Sequence, residues 1–172
     1  MPEFRFRRAS IRDLPNLIHH RHAMLHEMRP ATREELAAVD GAYSRFVRRE
    51  MKARRMYSFI VETEDTKVVA GAAIWLREAP PRVNFPGGRI PYLMSLYTEP
   101  AYRRKGLATL IVKECMKWSR DKEYPWMSLH ASEAGRELYE KLGWKPTTEM
   151  RYRITMSGRR RTSTQDSSHR VP

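Results

Sequence analysis

Apolar and basic residues alternate at the start of the chain, Phe4-Arg5-Phe6-Arg7-Arg8, with the period of two expected of an edge strand. From Ile11 the period lengthens. Leu14, Leu17 and Ile18 recur at helical spacing, and this helix must end before Pro30, whose ring and missing N–H stop it. Thr32-Arg33-Glu34-Glu35 has the form of a capping box and opens a second helix through Leu36, Val39, Tyr43, Phe46 and Val47. Strands over 57–62 and 68–76 flank the polar turn Glu64-Asp65-Thr66, a hairpin pattern. A proline-rich loop, 77–88, ends in Gly87-Gly88 and feeds a strand over 89–98. The spacing then predicts a helix over 106–122, with Leu107, Leu110, Ile111, Cys115 and Trp118 on one face. A short strand at 127–131 precedes a helix capped by Ser132 and ended by Gly143, and a last strand over 149–156 closes the sheet. The order is β-α-α-β-β-β-α-β-α-β.

The junction after the third long strand carries the most chemistry: Thr98-Glu99-Pro100-Ala101-Tyr102-Arg103-Arg104-Lys105-Gly106-Leu107-Ala108-Thr109. The first turn of a helix has backbone N–H groups with no partner inside the helix, and the helix dipole makes that end positive. Small residues at Gly106 and Ala108 let a ligand approach this backbone, and three cations precede it. The segment therefore reads as a cradle for an anion such as a diphosphate. It lacks the Gly-x4-Gly-Lys-Ser/Thr string of a nucleotide-binding P-loop and the three spaced glycines of a dinucleotide fingerprint.

Arg103-x-x-Gly106-x-Ala108 resembles the Arg/Gln-x-x-Gly-x-Gly/Ala signature of the GNAT superfamily, the acetyl-CoA-dependent N-acetyltransferases. A second segment, Met127-Ser128-Leu129-His130-Ala131-Ser132 followed by Gly135-Arg136-Glu137-Leu138-Tyr139-Glu140-Lys141-Leu142-Gly143-Trp144, is similar to that family's later motif. The clear resemblance spans residues 93–144, and the remainder agrees by element order. The resemblance implies an α/β (α+β) fold with a mixed, mostly antiparallel central sheet flanked by helices. It also implies acetyl-CoA as acyl donor, no metal, and direct attack by an amine in a ternary complex. Carried over position by position, the cofactor would meet the cradle at Arg103, Arg104, Lys105, Gly106, Leu107, Ala108 and Thr109, with Ser132 opening the later helix. Backbone of Leu96, Tyr97 and Thr98 would stabilise the thioester carbonyl; a valine is common in the family where Thr98 stands. Tyr139 matches the tyrosine that faces the sulfur and serves as general acid.

The 172 residues are one domain's worth, with 1–156 expected as the transferase domain and 157–172 as a polar, basic tail outside the core. No apolar run approaches the ~20 residues of a membrane span and no apolar signal region opens the chain, so a cytoplasmic protein is expected. Cys115 is the single cysteine and, lying mid-helix among apolar residues, reads as a buried thiol rather than a nucleophile. His19, His22 and His26 share a helical face, but the His22–His26 pair lacks the intervening glutamate of a zinc protease and nothing completes a site by spacing. The net charge of +13 raises a reading from another class, a basic module of transferase-like fold that binds nucleic acid or an acidic partner. The charge is dispersed and no nucleic-acid motif accompanies it, so nucleic acid is not the expected partner; a homodimer stays open.

N-acetylation sets its own requirements. An amine of pKa ~10.4 is neutral in about one molecule in 2,500 at pH 7, a cost of roughly 4.6 kcal/mol, so a base or a water chain must take its proton, or the substrate amine must have a lower pKa. His130, at the end of its short strand, is the candidate by position and by the usual titration range of histidine; a structural role for it is the alternative. Glu78 is a second candidate, and Glu99 lies nearer the phosphate turn than the amine. The acceptor itself leaves no mark in these motifs. Helices one and two and loop 77–88 are expected to wall its pocket. Arg77, Arg82 and Arg89 there favour an acceptor with few positive charges over a polyamine, unless Glu78 or Glu27 offsets them.

Overall fold

Strands β1 (Arg5–Arg8), β2 (Met56–Glu62), β3 (Val68–Glu78) and β4 (Arg89–Thr98) form one sheet in sequence order, each antiparallel to the next. The computed structural model describes residues 4–83 and 85–152. Helices α1 (Leu14–Met28) and α2 (Arg33–Lys52) cover one face, and α3 (Leu107–Asp121) covers the other, followed by α4 (Glu133–Lys141). Because both faces are covered, the central strands lack a clean in–out alternation. Phe59 and Val61 pack towards α3, while Ile60 between them packs towards α1 and α2. This is why the segments Ser58-Phe59-Ile60-Val61 and Val69-Ala70-Gly71-Ala72-Ala73-Ile74 are continuously apolar or small.

The helix ends follow the sequence cues. Thr32 Oγ1 accepts from Glu35 N–H while the Glu35 carboxylate accepts from Thr32 N–H, the reciprocal pair of a capping box. Ser10 and Asp13 make the same box over a short 3-10 turn, Ile11–Asp13, so the first helix starts three residues later than its apolar spacing suggests. Asp13 also receives two hydrogen bonds from Arg7 of β1, whose Nε reaches Glu62 of β2, binding the edge strand at both ends. The first helix can press closely on the sheet because Gly71 has no side chain. A Cβ there would stand 3.1 Å from His20 Nδ1 and 3.2 Å from the Phe59 carbonyl oxygen.

Two expected strands are reduced. Residues 127–131 make a single parallel bridge, Tyr92 with Ser128, in place of a full strand. Residues 149–152 belong to no strand, and the rest of the expected 149–156 strand lies outside the described residues, as does the 157–172 tail. A short segment next to a sheet edge needs only two backbone bonds to dock, and here those are Leu93 N–H to Ser128 O and Ser128 N–H to Pro91 O.

Candidate active site

Those two bonds tie β4 to its neighbour only as far as Leu93, and beyond it the two segments part. At the same point β4 bulges. Its register against β3 shifts between Gly71 and Ala73, and Ser95 adopts a left-handed φ of 54°. The extra residue puts Met94 and Ser95 both towards α1 and α2, Ser95 meeting Arg21 and Tyr43, while Leu93 and Leu96 both pack towards α3. The bulge therefore turns the backbone of Leu96, Tyr97 and Thr98 at the mouth of the gap. Tyr97 is buried on the α1 side against His20, and its hydroxyl donates to Glu27. Thr98 Oγ1 is buried without a hydrogen-bond partner.

The cradle follows a short 3-10 turn, Pro100–Tyr102. Arg104 and Gly106 both have left-handed φ, 64° and 79°, while Arg103 before them is extended, so the chain turns within these few residues into α3. The first bond of the α3 ladder runs from Leu110 N–H to Gly106 O, so the N–H groups of Leu107, Ala108 and Thr109 precede it. The space beside Gly106 is open, with no atom within 4 Å of where its Cβ would be. Leu107 is 4% exposed; its side chain anchors the helix and only its backbone faces the cradle.

The three cations before the helix divide in role. Arg103 turns away from the helix end: its guanidinium pairs with both Glu27 oxygens at 2.6 and 2.9 Å, lies over the Tyr97 ring, and donates through Nε to Thr98 O. It braces α1 against the end of β4. Lys105 lies over the Tyr102 ring, with Lys67 over the same ring, and Arg104 is exposed. Lys67 has no signature in the sequence; only the fold brings it beside the cradle.

On α4, Ser132 caps the helix by accepting from Gly135 N–H at 3.2 Å. Tyr139 packs edge-on against Trp144 and beside Gly135. Burial first, then the neighbouring Cys115 and Tyr92, push its phenol up to about 12, so it keeps its proton throughout the neutral range. Cys115 is fully buried and also pushed up to about 12, chiefly by burial, which leaves it no thiolate to act as a nucleophile. His130 lies across the gap from Tyr139, and both line an open cleft of about 1350 Å³ together with Arg77, Arg136, Trp144 and Glu149. Its Nδ1 is 2.5 Å from the Tyr92 hydroxyl and its Nε2 is 3.2 Å from Glu149 Oε1.

Tyr92 and His130 sit on the face opposite Tyr139. Tyr92 shares the parity of Met94, which packs towards α1 and α2, and its cross-strand partner Trp75 meets Phe46 of α2. His130 follows Leu129, which packs towards α3. A group lying in the gap would thus have Tyr139 on one side and the Tyr92–His130 pair on the other. Tyr92 carries no motif and had no signal in the sequence.

The other candidates scatter. His19 pairs with Glu99 and His22 with Asp40, and among the described residues no group of three or more His, Cys, Asp or Glu is placed to hold a metal. Glu99 is thereby committed to α1, with His20 Nε2 also 3.6 Å away. Glu78 is exposed and lies 4.0 Å from Arg55. Loop 77–88 folds onto residues 124–126, Phe85 against Tyr124 and Trp126, and Arg82 over Trp126.

The model of the acetyltransferase (GNAT) family matches residues 21–144, and the chain belongs to that family. Among solved structures, a GCN5-related N-acetyltransferase from Ralstonia eutropha JMP134 is 27% identical with a TM-score of 0.79, covering 88% of this chain and 99% of that one. A predicted acetyltransferase from Clostridium acetobutylicum, solved with acetyl-CoA, is 25% identical with a TM-score of 0.78 over 88% and 96% of the two chains. Glucosamine-6-phosphate N-acetyltransferase from Arabidopsis thaliana, 18% identical over 88% of this chain and 98% of its own with a TM-score of 0.63, shares the fold alone. A search of curated proteins gives no match. No helix among the described residues is long and apolar enough to cross a membrane.

Proposed function

We propose that the protein transfers the acetyl group of acetyl-CoA to an amine by direct attack in the gap between β4 and residues 127–131. The observation that carries this reading is the parting of the two segments beside a helix N-terminus with open backbone N–H groups at Leu107, Ala108 and Thr109. The diphosphate would rest there, with Arg104 and Lys105 supplying charge, and the pantetheine would run into the gap past Ser132 towards Tyr139. The relative from Clostridium acetobutylicum, solved with acetyl-CoA, supports the donor assignment.

Backbone N–H groups of the bulged stretch Leu96 to Thr98 would stabilise the negative charge that develops on the carbonyl oxygen, and being fixed by the sheet they need no reorganisation. Tyr139 stays protonated, so it can stabilise the leaving thiolate by donating a hydrogen bond. Full transfer from a phenol near 12 to a thiolate near 8.5 would be uphill by about 5 kcal/mol, and hydrogen bonding is its main contribution. His130, on the opposite side of the gap, is the base on which the proton lost by the incoming amine comes to rest. The acceptor we favour carries few positive charges, because Arg77, Arg82, Arg136 and Arg151 line the cleft and Arg103 already neutralises Glu27.

A thermal-shift titration with acetyl-CoA, followed by thiol release with spermidine, Gly-Gly and α-N-acetyl-lysine as acceptors, tests the assignment. We expect stabilisation by acetyl-CoA and thiol release with at least one amine. Neither effect at millimolar acetyl-CoA would refute the transferase reading, and spermidine exceeding the other two in kcat/KM would refute the acceptor class.

A further inference from the structure

Resting on the transferase reading, we propose that Glu149, His130 and Tyr92 form a proton relay whose outward end is the Tyr92 hydroxyl, so that Tyr92, and not the imidazole, touches the acceptor amine. Both His130 ring nitrogens are already engaged, Nδ1 with Tyr92 Oη at 2.5 Å and Nε2 with Glu149 Oε1 at 3.2 Å. An ionised carboxylate can only accept, so Nε2 must carry the hydrogen that points at Glu149. A neutral imidazole has one N–H, so Nδ1 has only a lone pair and Tyr92 must be the donor to it. The phenol oxygen's remaining lone pair is then the free acceptor at the gap, on the face of the sheet opposite Tyr139. Arg77 lies over the Tyr92 ring at 4.8 Å, a cation that favours any negative charge appearing on the phenol oxygen as its proton leaves.

The protons balance. The substrate ammonium gives one proton to Tyr92 Oη as the Tyr92 proton passes to His130 Nδ1, leaving a neutral amine and an imidazolium held by the Glu149 carboxylate. The amine nitrogen bonds to the thioester carbon, the C–S bond breaks, and the second nitrogen proton ends on the thiol sulfur. His130 then returns its proton to solvent. His130 and Glu149 act through Tyr92 and are positioning residues.

Ring ¹⁵N NMR of the full chain, with His130 identified by its loss in His130→Gln, tests the relay without knowledge of the acceptor. We expect the Nε2–H tautomer in the neutral form. Glu149→Gln replaces a charged acceptor for Nε2–H by a neutral one, so the Nε2 resonance should move while the Nε2–H tautomer persists. Tyr92→Phe should move the Nδ1 resonance by freeing its lone pair. With whichever of Gly-Gly, α-N-acetyl-lysine or spermidine supports thiol release, Tyr92→Phe should lower kcat at least tenfold with KM for acetyl-CoA within about twofold. An Nδ1–H tautomer, an Nε2 resonance unmoved by Glu149→Gln, or wild-type kcat in Tyr92→Phe overturns the relay. Failure of acetyl-CoA to bind strikes instead at the transferase reading and leaves the NMR outcome to stand by itself.

Discussion

At the scale of single residues, buried ionisable groups set the acid stability of this protein. His20 is 2% exposed, and burial lowers its pKa to about 4 although Glu99 pulls the other way. The unfolded chain therefore takes up this proton first as pH falls through 6.5, and stability drops by about 3 kcal/mol between pH 6.5 and 4 from this group alone. Glu50 is held to about 2 in spite of burial by hydrogen bonds from Arg55, Arg49 and Trp75, so its contribution is present above its unfolded value and lost as pH falls towards 2. Urea unfolding of wild type and His20→Gln should give parallel curves above pH 7 and a flatter dependence for the variant between pH 6.5 and 4. Equal slopes in that window would show that His20 is not buried neutral. Tyr139→Phe belongs to the same scale: a lost hydrogen bond to the thiolate should lower kcat by about ten- to a hundredfold while the apparent affinity for acetyl-CoA changes little. Equal loss in both would assign Tyr139 to packing.

At the scale of elements, the junction of β4 and α3 concentrates the consequences. Gly106 has a φ of 79°, so any side chain there costs about 1 kcal/mol of backbone strain, yet the space beside it is empty. Gly106→Ala should therefore lower stability modestly and leave acetyl-CoA binding measurable. Gly106→Asp adds the same strain plus a carboxylate facing the expected diphosphate, and calorimetry should find its affinity reduced by more than tenfold relative to the alanine variant. Matching affinities would mean that the diphosphate rests elsewhere. Arg103 illustrates how an element can reassign a residue: the first position of its motif is spent on joining α1 to β4 through Glu27. Arg103→Ala should cost stability as well as activity, whereas Arg104→Ala should act on cofactor affinity alone.

At the scale of the whole molecule, the sheet separates two apolar cores, one against α3 and one against α1 and α2. Ile111 and Val112 are fully buried against the sheet on the α3 side. Ile111→Ala should cost 2–5 kcal/mol in denaturant unfolding, with loss of acetyl-CoA binding following only from unfolding. Residues 157–172 contain almost no apolar side chains, and a chain ending at Met156 should melt within a few degrees of the full protein and bind acetyl-CoA equally. A large drop in melting temperature would show that these residues dock.

What could be read from the sequence were the features encoded locally. Helix caps at Thr32 and Ser132, the Gly143 stop, the apolar face of α3 and its glycine start at Gly106 depend on neighbours within a few residues, so spacing reveals them. The same locality made the family legible over residues 93–144. The features decided only by the tertiary structure join distant positions. The bulge at Ser95 depends on register against β3, and the shortening of 127–131 to one bridge depends on where β4 leaves its neighbour. Arg103 meets Glu27 across 76 positions, and Tyr92 meets His130 across 38. No periodicity records such pairs, because each side chain is equally compatible with solvent until the fold removes the water around it.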